Sequence, residues 1–83
     1  MYELVLSDKA KKQLSKLPSN LQERIGIVFE RIKIRPHHFV KKIVGTKYFR
    51  LRVGDYRIII DIQNKILIIY ILEISHRKKV YKS

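Results

Sequence analysis

Tyr48-Phe49-Arg50-Leu51-Arg52-Val53-Gly54-Asp55-Tyr56-Arg57 reads as a strand, a tight turn and the start of a second strand. Side chains alternate along a strand, so Phe49, Leu51 and Val53 share one face while Arg50 and Arg52 share the other. Such a strand is half buried. Its open face suits a phosphate-rich ligand, because a guanidinium fork binds phosphate oxygens in pairs. Downstream, Tyr56 to Gln63 continues the second strand, with Tyr56 on the face of Ile58 and Ile60 and therefore expected in the core. Asn64-Lys65 reads as a two-residue hairpin link and Ile66 to Ser75 as a further strand. The last eight residues form a basic tail, expected to fold back as a short helix or strand.

Upstream, residues 1 to 6 alternate weakly and read as an edge strand rather than a signal peptide. Ser7 offers a helix N-cap, with Asp8 in the first turn. Ala10, Leu14 and Leu17 fall at i, i+4 and i+7, an apolar stripe on a short basic helix that Pro18 ends. Ser19 with Gln22 resembles a capping box opening a second helix. Its stripe is Leu21, Ile25, Val28, Phe29 and Ile32, and Arg35-Pro36 closes it. So short a link predicts an antiparallel helical hairpin. Residues 37 to 47 lose the period and read as a connection containing Gly45, in which adjacent His37 and His38 lack a third metal ligand. The expected fold is α+β: an N-terminal strand, then a helical hairpin packed on one face of a small, mostly antiparallel sheet, then the tail.

The chain of 83 residues has room for one domain, residues 1–83, and no cysteine to staple it. The fold must rest on its 46% hydrophobic residues. The isoleucine-rich run Ile66 to Ile74 is about half the length of a membrane-spanning helix. Nineteen Lys and Arg against seven Asp and Glu give a formal charge of +12, well beyond what solubility asks of a small domain. That excess implies a polyanionic partner, nucleic acid or an acidic protein, bound in a salt-dependent way.

Arg50, Arg52 and Arg57 on the open sheet face, with Arg77 after the last strand and Tyr81 in the tail, suit single-stranded RNA. Arginines hold phosphates, and a ring stacks on an exposed base. Such a site is also suited to cutting RNA. The ribose 2′-hydroxyl is an internal nucleophile, so cleavage needs a proton acceptor, charge stabilisation at phosphorus and a proton donor to the leaving oxygen. Arginine supplies the charge but is a poor base, which leaves Lys, His and Tyr for proton transfer. Arg57 also has a structural alternative, as partner of Asp55 or Asp61.

Arg50-Leu51-Arg52-Val53-Gly54-Asp55-Tyr56-Arg57 and His76-Arg77-Lys78-Lys79-Val80-Tyr81, in this order of elements, resemble the RelE/ParE superfamily of archaeal and bacterial toxins, on the RelE side. The resemblance implies a ribosome-dependent endoribonuclease that cuts mRNA in the ribosomal A site, in the cytoplasm and without metal or cofactor. It also implies a RelB-like antitoxin that covers the basic face, with a monomeric free toxin and a heterotetrameric complex. Residue by residue, Arg57 and Arg77 match phosphate-binding arginines, Tyr81 the tyrosine that stacks on the substrate base, and Arg50 a basic catalytic position of the strand. Lys47, Arg52, His76, Lys78 and Lys79 are the surrounding candidates for RNA contact. Where the family often carries Lys-x-Lys, this chain has Tyr48 and Arg50, so His76 and Tyr81 become candidates for the proton acceptor. The alternatives implied are a ParE-like toxin that poisons gyrase, or a noncatalytic antitoxin-binding relative.

Overall fold

Alternating strands and striped helices leave every element with one apolar face, and those faces meet in one core. The computed structural model describes residues 1–77. Its elements are β1 (Glu3–Leu6), α1 (Asp8–Ser15), α2 (Ser19–Ile32), α3 (Pro36–Phe39), β2 (Lys41–Lys42), β3 (Phe49–Val53), β4 (Tyr56–Gln63) and β5 (Ile68–His76). The five strands form one sheet in the order β1-β5-β4-β3-β2, antiparallel except where β1 runs parallel to β5. Ala10 of α1 and Ile25, Phe29 and Ile32 of α2 close over one face of the sheet, onto Leu51, Val53, Ile58, Ile60, Ile62, Ile69, Ile71 and Ile74. This is the expected α+β arrangement. Among the described residues, no helix is long and apolar enough to cross a membrane.

Ladder pairing breaks once. Ile59 pairs with Glu73 and Ile60 with Ile71, so Leu72 is an extra residue in β5, a β-bulge. A bulge leaves ladder groups unpaired, and α1 supplies their partners. Ser7 Oγ donates to the Leu72 carbonyl at 2.9 Å while accepting from the Ala10 N–H at 3.0 Å. Gln13 Oε1 accepts from the Ile74 N–H at 2.6 Å. Lys9 Nζ adds an exposed ion pair to Glu73 at 2.5 Å.

Three local expectations need correction. The capping box does not form: Pro18 is the N-cap of α2, without a side-chain hydrogen bond, and Gln22 Nε2 instead reaches back to the Leu17 carbonyl at 2.8 Å. Proline presets the entry φ, and Gln22 does more by satisfying a carbonyl after α1. The β4–β5 link is not the two residues Asn64-Lys65 but four, Asn64 to Leu67, with Leu67 in the left-handed region at φ 55°. That conformation lets the Leu67 carbonyl accept from the Glu3 N–H at 2.9 Å, which starts the β1–β5 ladder. The connection over residues 37 to 47 is partly regular. Pro36 ends no helix there but opens α3 as its first residue, where its missing N–H is harmless, and Lys41-Lys42 adds an edge strand.

Ser7→Ala removes the cap of α1 and orphans the bulge carbonyl, and is expected to lower stability by about 1–2 kcal/mol. Thermal melting followed by circular dichroism should show a fall in Tm of roughly 4–8 °C for each kcal/mol. Leu67→Gly, which relieves a left-handed leucine, is expected to raise stability by up to about 1 kcal/mol in the same assay.

Candidate functional site

The helices cover one face of the sheet, and the arginines lie on the other. In the β3–β4 hairpin Arg52 stands directly opposite Arg57, and Arg50 lies two residues further along β3 on the same face. The turn between them is Gly54-Asp55, with Gly54 at φ 58° and Asp55 in the ordinary negative range, the pattern of a type II′ turn. The positive φ favours glycine there, and an added Cβ would lie 3.3 Å from the exposed, flexible Arg24 guanidinium, which a small shift relieves. Arg77 arrives from the other side, its N–H donating to the Asp55 carbonyl at 2.8 Å.

The bulge decides where Arg77 goes. Ile69 and Ile71 face the helices, and unbroken alternation would turn residues 73, 75 and 77 the same way. The extra Leu72 moves the buried position to Ile74, puts Ser75 opposite Arg57 and returns Arg77 to the open face.

Arg50, Arg52, Arg57 and Arg77 thus line a single open pocket of about 290 Å³ together with Gly54, Asp55 and Tyr56. Like charges directly opposite on neighbouring strands repel. Nearby carboxylates do not relieve them. Asp61 accepts from Gln63 Nε2 at 2.8 Å, Glu73 is held by Lys9, and among the described residues neither Asp55 nor Asp61 forms an ion pair with Arg57, so the structural pairing considered for Arg57 does not form. Among the described residues neither Arg50, Arg52 nor Arg57 is ion-paired. The Arg57 Nε is buried, with no acceptor for its hydrogen among the described residues. A buried donor in that state costs about 1–3 kcal/mol. The arrangement is built to neutralise negative charge. It carries no metal-ligand cluster among the described residues.

Other sequence candidates fall elsewhere. The His76 ring meets Tyr56 edge to face at 5.1 Å, and lines a recess with Gln13, Lys16, Leu17 and Pro18 on the helix side, away from the arginines. Lys47 is exposed before β3, its Nζ 5.6 Å from the Tyr48 ring centre. Lys78, Lys79 and Tyr81 lie outside the described residues. Tyr56, expected in the core, is only half buried and forms a wall of the arginine pocket, because the strand end outruns the helical cover. Lys41 and Phe39 join the arginine face unforeseen: Lys41 is paired with Arg50, and both residues line a recess beside it. A two-residue strand has no periodicity to reveal it.

Residues 4–81 match the family described as the ParE toxin of type II toxin–antitoxin systems. The sequence is 31% identical to toxin RelE3 of Methanocaldococcus jannaschii over 84% of each chain. The fold resembles RelE in the archaeal RelE–RelB complex of Pyrococcus horikoshii, with a TM-score of 0.80 and 29% identity over 92% of this chain and 94% of that one. It also resembles a chain of the toxin–antitoxin complex RelBE2 of Mycobacterium tuberculosis, with a TM-score of 0.81 and 24% identity over 92% and 98%.

Arg52→Gln separates the two consequences of cross-strand repulsion. The variant is expected to gain about 0.2–1 kcal/mol in urea unfolding while eluting from heparin at lower salt than the parent.

Proposed function

Because the chain belongs to the RelE/ParE family of type II toxin–antitoxin toxins, we propose that its arginine face cuts mRNA in the ribosomal A site. The observation that carries this reading is the convergence of Arg50, Arg52, Arg57 and Arg77 on one open pocket, with Arg50, Arg52 and Arg57 in no ion pair among the described residues. In the proposed reaction the ribose 2′-oxygen attacks the adjacent phosphorus, a 2′,3′-cyclic phosphate forms and the 5′-oxygen leaves with a proton. Arg57 and Arg77 hold the nonbridging oxygens as charge builds on the crowded phosphate. Arg50 adds to the same field from β3. Tyr81 stacks on a base next to the cut and orients the 2′-oxygen for in-line attack.

The four pocket arginines bind and stabilise charge but do not accept the proton. The acceptor on this reading is Tyr81 or a group of the ribosome, since His76 lines the recess beside α1 and not the arginine pocket. The ribosome also holds the mRNA strand extended in the A site, which removes an entropic cost of bringing a flexible strand to the pocket.

The partner on the same reading is an antitoxin, as in the RelE–RelB complex of Pyrococcus horikoshii. A surface of net charge +12 favours an acidic segment that competes for the arginine face. A second reading follows from the matched family, which is described as ParE toxin. ParE-type toxins poison gyrase without cutting RNA, and the same basic face would then serve only to bind.

Induction of the wild type and of an Arg57→Ala/Arg77→Ala variant, followed by primer extension on a translated mRNA, separates these readings. Breaks within codons for the wild type are expected, reduced at least a hundredfold in the variant, the scale of losing a transition-state charge contact. Growth arrest with intact mRNA and DNA-damage signalling would move the assignment to gyrase. Equal cutting by a folded double variant would remove these arginines from the site.

A further inference from the structure

The arginine pocket does not end at Arg50. Beyond it lies a second recess of about 190 Å³, lined by Phe39, Lys41, Arg50 and Arg52. Arg50 and Arg52 wall both recesses, so the two adjoin along the open face toward the β2 edge of the sheet. We propose that Phe39 and Lys41 form a second nucleotide subsite, for the residue flanking the one held at Arg57 and Arg77. The proposal rests on the reading of the arginine face as an RNA site and extends it.

The chemistry matches a nucleotide part by part. Lys41 pairs with Arg50 on the edge of the sheet and is exposed, so its ammonium stands beside Arg50 on the open face, a cation for one further phosphate. Phe39 is 39% exposed, and its ring borders that cation pair instead of the core. An aromatic beside paired cations offers a base a stacking surface while its phosphate is held.

The ring is also held in place. Pro36 is buried at the start of α3, and His37 packs edge to face on Phe49 at 5.4 Å while its Nε2 lies 3.2 Å from Asn64 Oδ1. Tyr2 donates to that same oxygen at 2.8 Å. The turn that carries Phe39 is thereby tied to β3, to the β4–β5 link and to the segment before β1, and little ordering remains to be done on binding. Stacking discriminates weakly among bases, so the subsite adds affinity and register more than sequence choice.

Fluorescence anisotropy with labelled 2′-O-methyl oligoribonucleotides of two and four nucleotides, which cannot be cleaved by 2′-hydroxyl attack, tests the assignment on the full chain at low salt. Phe39→Ala is expected to weaken the tetranucleotide about tenfold and the dinucleotide less than about twofold, with Phe39→Tyr restoring the difference. Lys41→Ala should reduce the salt dependence of tetranucleotide binding by about 0.7 in the log–log slope. Lys12→Ala, on the exposed side of α1, should leave that slope in place. Circular dichroism confirms that each variant is folded. The subsite is overturned, with the RNA reading intact, if Phe39→Ala and Lys41→Ala leave tetranucleotide binding unchanged while Arg57→Ala/Arg77→Ala weakens both oligonucleotides. It is overturned equally if Lys12→Ala matches Lys41→Ala, since generic charge then explains the effect. If the double arginine variant binds both lengths as the wild type does, the RNA reading falls and the subsite falls with it.

Discussion

The hydrogen bond from Ser7 Oγ to the Leu72 carbonyl joins the first helix to the one irregularity of the sheet. Much of the molecule depends on that junction. Leu72 is an insertion in the β5 ladder, and its unpaired groups are satisfied because α1 starts beside it. Ser7 acts as helix cap and as donor to the bulge, while Gln13 accepts from Ile74 nearly two turns further on. A helix cap is ordinarily a local matter. Here it fixes the phase of β5, and the phase of β5 decides which way Arg77 points. The guanidinium cluster is assembled from strands, but its fourth member is placed by a helix on the opposite side of the sheet.

The arginine face opposes folding in two ways. Arg52 and Arg57 stand across from each other on neighbouring strands, and the Arg57 Nε is buried without an acceptor among the described residues. The core opposite is built from residues that lose little on ordering. Six of its members are the sheet isoleucines Ile58, Ile60, Ile62, Ile69, Ile71 and Ile74, all nearly inaccessible to solvent. Branching at Cβ restricts their rotamers before folding begins, and their shape suits a pleated surface. Each contributes roughly 1.5–3 kcal/mol of transfer free energy when fully buried. A charged, underpaired surface is therefore carried on a stiff apolar sheet.

How much of this was legible in the sequence depended on the period of each signal. Strict alternation from Phe49 to Val53, and alternation broken only by Ile59 from Tyr56 to Gln63, identified the hairpin, its two faces and Arg50, Arg52 and Arg57 together. The i, i+4, i+7 stripes located both helices. What failed were features without a period. The bulge at Leu72 is invisible in a run where every residue from Ile66 to Ile74 but Tyr70 and Glu73 is aliphatic, because either register buries isoleucine. The same ambiguity concealed that His76 and Arg77 diverge, one onto the Tyr56 ring and the other into the pocket. Gln22 was assigned to the wrong helix end because the capping motif and a backward hydrogen bond use the same residue types. Lys41 and Phe39 went unassigned because a two-residue strand and a one-turn helix are shorter than any repeat that could announce them.

The parallel pairing of β1 with β5 has a consequence for the order of events in folding. Glu3 to Leu6 find their partners at Ile68 to Ile71, so this ladder must close a loop that spans most of the described residues. The β3–β4 hairpin, by contrast, closes across a two-residue turn. The junction of Ser7 with Leu72, which sets Arg77, also joins distant parts of the chain and is expected to form after the hairpin. Arg50, Arg52 and Arg57 are gathered by a local turn; the fourth arginine joins them only through long-range contacts.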